Sequence, residues 1–288
     1  MMDPIITYSP SLLEELDEIL KNLSGTVTYT SGCTDIMIQP DRWSTARCLV
    51  NLNTVDEMRR TLQIEEHGVL IGASLPLTKL NQHPVLRNKF PILIESCRQI
   101  GSIQIQNRAT LGGNIANASP AGDTLPVLSV LNAELWIGPR LKGDFERLAL
   151  DEVMLGPGET SLGDNKYIAF IYLPFPDPPD PYWYFRKVGQ RYSMAISKIS
   201  LAVLGWKKGK TIQDIRICAG SVSPQIKRAG LTEKLLHNKD LDSKIIRKAS
   251  EQLMKEIKPI TDIRSTKEYR KVTAGRLLQE ALATWSGY

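Results

Sequence analysis

From residue 174 to residue 181 the chain reads Pro-Phe-Pro-Asp-Pro-Pro-Asp-Pro, five prolines in eight positions. Proline removes a backbone donor and fixes φ, so neither a helix nor an inner strand can run through such a stretch. It is read as a domain linker, which sets the expected domains at 1–175 and 182–288. With 288 residues the chain is long enough to bury a core without covalent staples.

Before the linker the pattern is mixed. Ser11 and Glu14 have capping-box spacing, and Leu12, Leu13, Leu16, Ile19, Leu20 and Leu23 recur at helical intervals up to Gly25, so a helix is predicted over 11–23. Strands are predicted at 27–30, 47–52, 61–64 and 69–73, with a turn at His67-Gly68. Helices follow at 91–100 and 123–131, and strands at 133–137 and 166–173. After the linker, strands are expected near 182–188, 198–206 and 211–218, the second alternating through Ile199, Leu201 and Val203. Helices near 242–257 and 266–284 close the chain, the last opening on Ser265 and Glu268 in capping-box spacing. This order predicts an antiparallel sheet with helices packed on it, and an α+β protein overall.

Several function classes are disfavoured by composition. The net charge of +5 is mild for this length. The tightest basic groups, Lys207, Lys208 and Lys210, and Arg264, Lys267, Arg270 and Lys271, are short enough to be solvated turns or helix faces, so no nucleic acid partner is expected. No run nears the roughly 20 apolar residues that span a bilayer, and MMDPIITYSP lacks the features of a secretory signal. No membrane association and a cytoplasmic location are the expectation. The four cysteines, Cys33, Cys48, Cys97 and Cys218, are scattered without a Cys-x-x-Cys pair. Metal sites and iron–sulfur clusters need closely spaced ligands, so no metal is expected and the thiols read as reduced and mostly buried. His67, His83 and His237 are the only imidazoles, and no catalytic residue is assigned.

Two glycine-bearing segments carry the chemistry. Thr30-Ser-Gly-Cys-Thr-Asp-Ile36 lies between a β-type run and an apolar run, where successive amides in a tight turn can cradle an anion. Thr34 adds a hydroxyl and Asp35 a side chain that can brace the loop. The same residues also make an ordinary Ser-Gly turn. The second segment, Thr110-Leu-Gly-Gly-Asn-Ile-Ala-Asn-Ala-Ser-Pro-Ala-Gly-Asp123, offers donors suited to a pyrophosphate and a carboxylate suited to a ribose hydroxyl. It equally fits a structured surface loop with Asx turns. Neither segment has the G-x-G-x-x-G or G-x-x-x-x-G-K-[ST] spacing, which argues against a Rossmann dehydrogenase and a nucleotide hydrolase.

Taken in order, Ser31-Gly-Cys-Thr-Asp35, Ile71-Gly-Ala-Ser74, the run from Ile100 to Asp123, Phe185-Arg-Lys-Val-Gly-Gln-Arg191, Ala195-Ile-Ser197 and Ala219-Gly-Ser-Val-Ser-Pro224 form a series. This series resembles, nearly end to end, the medium, FAD-binding subunit of molybdenum hydroxylases, the xanthine dehydrogenase and carbon monoxide dehydrogenase group. The resemblance implies a vanillyl-alcohol-oxidase-type FAD-binding domain of two subdomains, about 1–55 and 56–175, holding FAD between them. It also implies a carboxy-terminal domain of a three-stranded sheet and helices.

The resemblance further implies residue roles. Ser31, Gly32, Cys33, Thr34, Asp35 and Ile36 would hold the FAD pyrophosphate. Thr110, Gly112, Gly113, Asn114 and Asn117 would line the other side of the cofactor, and Asp123 would meet its adenosine portion or phosphates. Leu162 would make an apolar contact near the adenine, and Lys187 would approach the pyrimidine edge of the flavin, where a cation stabilises negative charge on the reduced ring. This chain departs from the family at Cys33, where a glycine is usual, and at Gln106, where arginine is usual. The implied function is electron transfer from [2Fe–2S] clusters on a small partner subunit, through FAD, to an acceptor that analogy makes NAD, with hydroxylation on a molybdopterin-binding large subunit. The alternatives are a stand-alone flavin oxidoreductase of the same fold and a scaffold subunit that has lost FAD.

Overall fold

The computed structural model describes residues 5–23, 25–44, 46–141, 143–163, 165–191 and 194–286. Up to the second glycine-bearing segment the elements are β1 (Ile6–Tyr8), α1 (Leu13–Asn22), β2 (Val27–Thr30), β3 (Cys48–Asn51), α2 (Asp56–Arg60), β4 (Leu62–Ile64), β5 (Gly68–Gly72), α3 (Leu77–Gln82), α4 (Pro84–Lys89), α5 (Pro91–Arg98) and α6 (Ile103–Gln106). Then come α7 (Leu111–Ala116), α8 (Thr124–Val130), β6 (Glu134–Leu141), β7 (Asp144–Ala149), α9 (Leu150–Val153), β8 (Met154–Gly156), β9 (Glu159–Thr160) and β10 (Tyr167–Pro174). Beyond the prolines follow β11 (Tyr182–Val188), β12 (Ile199–Lys208), β13 (Thr211–Gly220), α10 (Gly230–Leu236), α11 (Ser243–Glu256) and α12 (Lys267–Ser286).

These elements form two compact units that do not follow chain order. The first gathers the described residues up to His83 with Ser102–Ala118 and Ala133–Phe175. Its smaller sheet, ordered β1-β3-β2, is wholly parallel, with Ile6 and Val27 both beside Cys48. Parallel strands need crossovers, and α1 carries the chain from β1 to β2. That helix buries Leu13, Leu16 and Leu20 together with Asp17. The Asp17 carboxylate is satisfied on both oxygens, by Tyr167 Oη at 2.8 Å and Arg140 Nε at 2.7 Å. The larger sheet, β4-β5-β10-β6-β7, is antiparallel throughout. Two of its three inner strands, β5 and β10, read as apolar runs, Val69-Leu-Ile71 and Ile168-Ala-Phe-Ile171, all buried, while the third, β6, alternates buried Leu135 and Ile137 with partly exposed Glu134 and Trp136.

The second unit takes Pro84–Gly101, Ser119–Asn132 and the described residues from Pro176 onward. Its antiparallel sheet, ordered β11-β12-β13, joins Ile199, Leu201 and Val203 to a core with Leu253 of α11 and Leu278, Leu282 and Trp285 of α12. Ala202 and Leu204, pointing to the other face, are equally buried, and α8 packs on both β12 and β13. Sequence alternation alone suggests one covered face. The sheet has two, and the second covering comes from a helix that precedes the prolines. Those prolines are themselves tied down, since Trp206 Nε1 donates to the Pro178 carbonyl at 2.6 Å.

Three local expectations are corrected. Ser11 pairs with Glu15 rather than Glu14: the Glu15 carboxylate accepts from both the Ser11 N–H and its Oγ, because α1 starts one residue later than the spacing suggests. At α12 the capping hydroxyl is Thr266, not Ser265, and its Oγ1 accepts from the Tyr269 N–H at 3.2 Å. Arg270 is not a solvated residue of a basic face. It is 3% exposed, and burial is tolerated because Nη1 donates to the Ser221 carbonyl and Nη2 pairs with Asp262. The four cysteines are free, with Cys33 half-buried and the others buried. Burial pushes the Cys97 thiol up to about 12.

Candidate functional site

The candidate residues assemble separately within the two units. In the first, the turn at 31–35 leaves the carboxyl end of β2, the end of a parallel strand at which α/β sheets commonly bind ligands. Gly32 presses this turn onto the backbone of Arg108 and Ala109, just before the second glycine-bearing segment. A Cβ there would stand 2.1 Å from the Arg108 carbonyl oxygen, so no other residue allows the approach. Ser31 Oγ donates to Ser74 Oγ at 3.0 Å and lies 3.4 Å from Thr110 Oγ1. Gly112 then packs on Ala73, its N–H donating to the Ala73 carbonyl at 3.0 Å, and a Cβ on it would lie 2.6 Å from that of Ala73. Three segments quoted from distant parts of the sequence, 31–35, 71–74 and 108–117, thus meet.

Their donors are used differently. In the second segment, residues 111–116 form a helix, α7. Thr110 is its N-cap and accepts from the Gly113 N–H at 3.0 Å, while the Asn114 N–H returns to the Thr110 carbonyl. The amides of Gly112 and Gly113 are therefore spent on the protein itself. In the first segment, by contrast, the N–H groups of Gly32, Cys33, Thr34 and Asp35 have no acceptor among the described residues. Cys33 has φ 60°, in the left-handed region that glycine occupies without strain. Asp35 braces the turn by accepting from Gln39 Nε2 at 2.6 Å. Ile36 opens the short 3₁₀ turn that exposes Met37 and Ile38. Asn117 accepts from Arg42 Nη1 at 2.7 Å, a partner that nothing in the sequence singles out. Leu162 lies past β9 with its side chain buried. Gln106 is buried and accepts from Asn81 Nδ2 at 3.3 Å.

Asp123 and Lys187 belong to the second unit, and the structure brings them together. Lys187 Nζ donates to Asp123 Oδ2 at 2.7 Å and to the Gln99 carbonyl at 2.9 Å, with both side chains under a tenth exposed. The other carboxylate oxygen accepts from Ser197 Oγ. Burial pushes the Asp123 carboxyl up from its ordinary value, while Lys187 and the Ser197 hydroxyl pull it back. Lys187 is therefore no surface lysine. Gln99 and Ser197 complete the group. Ser197 stands in a quoted motif, but its partner is 74 residues away and the spacing alone does not reveal the pairing.

These features fit FAD. A turn with four uncommitted amides suits a pyrophosphate, and a buried ammonium suits a ring that gains negative charge. Among the described residues no group of three His, Cys, Asp or Glu side chains could hold a metal ion, and no helix is long and apolar enough to cross a membrane.

Comparison with known proteins agrees with this geometry. Residues 3–176 match the FAD-binding domain in molybdopterin dehydrogenase, and residues 183–285 match the carbon monoxide dehydrogenase flavoprotein carboxy-terminal domain. The glyceraldehyde dehydrogenase medium chain of Sulfolobus acidocaldarius is 28% identical over 272 residues, covering 93% of this chain and 94% of its own. The carbon monoxide dehydrogenase medium chain of Hydrogenophaga pseudoflava is 27% identical over 295 residues, covering 99% of each. Reconstituted CO dehydrogenase from Oligotropha carboxidovorans has the same fold, at a TM-score of 0.90 and 23% identity over 100% of this chain and 99% of that one. So does quinoline 2-oxidoreductase from Pseudomonas putida 86, at 0.89 and 20% over the whole of both chains. The chain belongs to the family of FAD-binding flavoprotein subunits of molybdopterin dehydrogenases, oxidoreductases whose flavin cofactor is FAD.

Proposed function

We propose that this chain is the electron-transferring FAD subunit of a multi-subunit molybdenum hydroxylase, with a molybdopterin-binding large subunit and a [2Fe–2S] small subunit as partners, in the cytoplasm. Electrons from the clusters leave by way of this chain to an acceptor, for which NAD is the family's analogy. Its domains in the sequence are 1–175, with subdomains about 1–55 and 56–175, and 182–288. The observation that carries the reading is the turn at 32–35, four successive amides without an acceptor among the described residues, seated by Gly32 on the Arg108 backbone. Those amides hold the pyrophosphate. Ser31, fixed by Ser74, and Asp35, fixed by Gln39, keep the turn rigid, so little entropy is lost on binding. Thr110, Gly112, Gly113, Asn114 and Asn117 line the other side of the cofactor, Ile36 and Leu162 give apolar contact, and Asp123 acts through Lys187 as well as on the cofactor. Bound FAD supplies the redox chemistry, accepting electrons singly and giving them up as a hydride. Lys187 has three N–H groups and two acceptors among the described residues, which leaves one donor for the flavin edge. The scarcity of histidine and the scattered cysteines fit a chain that supplies binding and tuning while clusters and substrate chemistry lie elsewhere.

The test is the visible spectrum of the purified chain after FAD addition and desalting. A flavin band that persists and is released as FAD on denaturation is expected, and Gly32→Ala is expected to abolish it. A chain that stays colourless alone and also when co-expressed with the molybdopterin and cluster subunits overturns the reading.

A further inference from the structure

The carboxylate that pairs with Lys187 is held by a hydroxyl that is itself fixed from both sides. Ser197 is fully buried and donates through Oγ to Asp123 Oδ1. The next residue, Lys198, donates its N–H to the Val188 carbonyl at 2.8 Å, which ties this segment to the end of the strand bearing Lys187. The Ser197 carbonyl accepts from Ser221 Oγ at 3.2 Å. Ser221, at φ 61°, donates its N–H to the Pro120 carbonyl at 2.8 Å, three residues before Asp123. Its own carbonyl accepts from the buried Arg270 at 3.1 Å, and Asp262 holds that guanidinium at 2.7 Å. All these groups lie in the second compact unit.

The consequence is geometric. An ammonium on a flexible four-carbon stem has no fixed direction of its own. With two acceptors at fixed places, Asp123 Oδ2 and the Gln99 carbonyl, its third N–H points one way. Asp123 Oδ2 stays in place because Ser197 occupies Oδ1. Without that hydroxyl, a buried carboxylate oxygen loses its donor, which is costly enough to turn or protonate the group.

We propose that Ser197 is a positioning residue for the flavin: through Asp123 it fixes the direction in which Lys187 presents its uncommitted N–H. This rests on the reading that Lys187 meets the flavin. Ser221 and Arg270 serve the same end one step further out.

The experiment is a redox titration of FAD in the full-length, flavin-loaded protein, followed at the visible band. Lys187→Gln removes a cation that favours the reduced ring, so the midpoint potential falls. Ser197→Ala lowers it by less, Ser197→Thr returns it toward the wild-type value, and the double variant matches Lys187→Gln alone, because both changes act through one ammonium. Should the alanine variant not fold, Ser197→Cys keeps the shape with a weaker donor and shifts the potential less, in the same direction. A serine variant at the wild-type potential, or a double variant whose shift is the sum of the two, overturns the proposal. If Lys187→Gln itself leaves the potential unchanged, the placement of Lys187 at the flavin fails and the role of Ser197 fails with it.

Discussion

Cys33 holds φ 60° in the turn that carries the free amides. A side chain in the left-handed region costs roughly 1–2 kcal/mol, and glycine's greater freedom when unfolded takes back about 0.5–1 kcal/mol of any relief. Cys33→Gly is therefore expected to stabilise the protein by about 0.5–1 kcal/mol in urea denaturation and to tighten FAD binding. Cys33→Val, branched at Cβ, loses about 1–3 kcal/mol instead. A second residue-scale consequence lies at Asp262. Burial alone would raise its pKa, but Arg270 and the N–H groups of Arg264 and Ser265 outweigh it and hold the carboxyl below its ordinary 3.8. A depressed folded value means that its contribution is present above the unfolded value and is lost as pH falls through the folded one. Asp262→Asn should thus melt below the wild type at neutral pH, with the gap closing as pH drops below about 4. A gap constant with pH would remove the carboxylate from the argument. At this scale the sequence is legible where a residue type has one use. Gly32 stands out as a glycine whatever surrounds it, while Lys187 and Arg270 look like ordinary cations until their buried acceptors are known.

The α12 terminus shows what element-level pattern reading can and cannot settle. Ser265 and Glu268 have the spacing of a capping box, but the hydroxyl that accepts an amide is that of Thr266. Ser265 and Asp262 exchange backbone hydrogen bonds instead, and Asp262 also accepts from the Ser265 N–H through its side chain. Thr266→Ala is expected to cost about 1 kcal/mol by thermal or urea denaturation. Ser265→Ala should change stability by less than about 0.5 kcal/mol, and the reverse order would restore the capping box read from the sequence. Adjacent hydroxyls compete for the same role, and one backbone dihedral decides between them. Longer elements were legible to within a few residues. The strand at 182–188 matches β11, and the helices at 91–100, 123–131 and 242–257 contain α5, α8 and α11. The pieces missed, among them β1, β7, α3, α4 and α6, are mostly too short for a period to repeat. α7 does not read as a helix in the sequence because Gly112, Gly113 and Asn114 are poor helix formers, and Thr110 caps it all the same.

For the whole molecule, the proline stretch at 174–181 falls where the chain passes from one compact unit to the other, between Phe175 and Pro176, but the chain also changes unit earlier. Segments 84–101 and 119–132 precede it yet belong to the compact unit built after it. Leu93 of α5 and Val127, Leu128 and Val130 of α8 are fully buried there. A fragment ending at residue 175 would leave these side chains without the sheet that α8 packs on, so it is expected to bind a hydrophobic dye and melt broadly, while the full chain melts cooperatively. A sharp, dye-free transition for the fragment would show that its own part suffices. The sequence by itself determined the α+β class, the positions of the longer strands and helices, the two glycine-bearing segments and the family resemblance, because periodicity, turn chemistry and motif order are local properties of the chain. Tertiary structure alone decided which amides lack an acceptor among the described residues, that Lys187 is buried against Asp123 and Gln99, and that α8 covers the second face of the β11-β12-β13 sheet. Those outcomes depend on partners 64 to 88 residues away in the chain for Lys187, and a hydrogen bond or a buried face exists only once both partners have been brought into place.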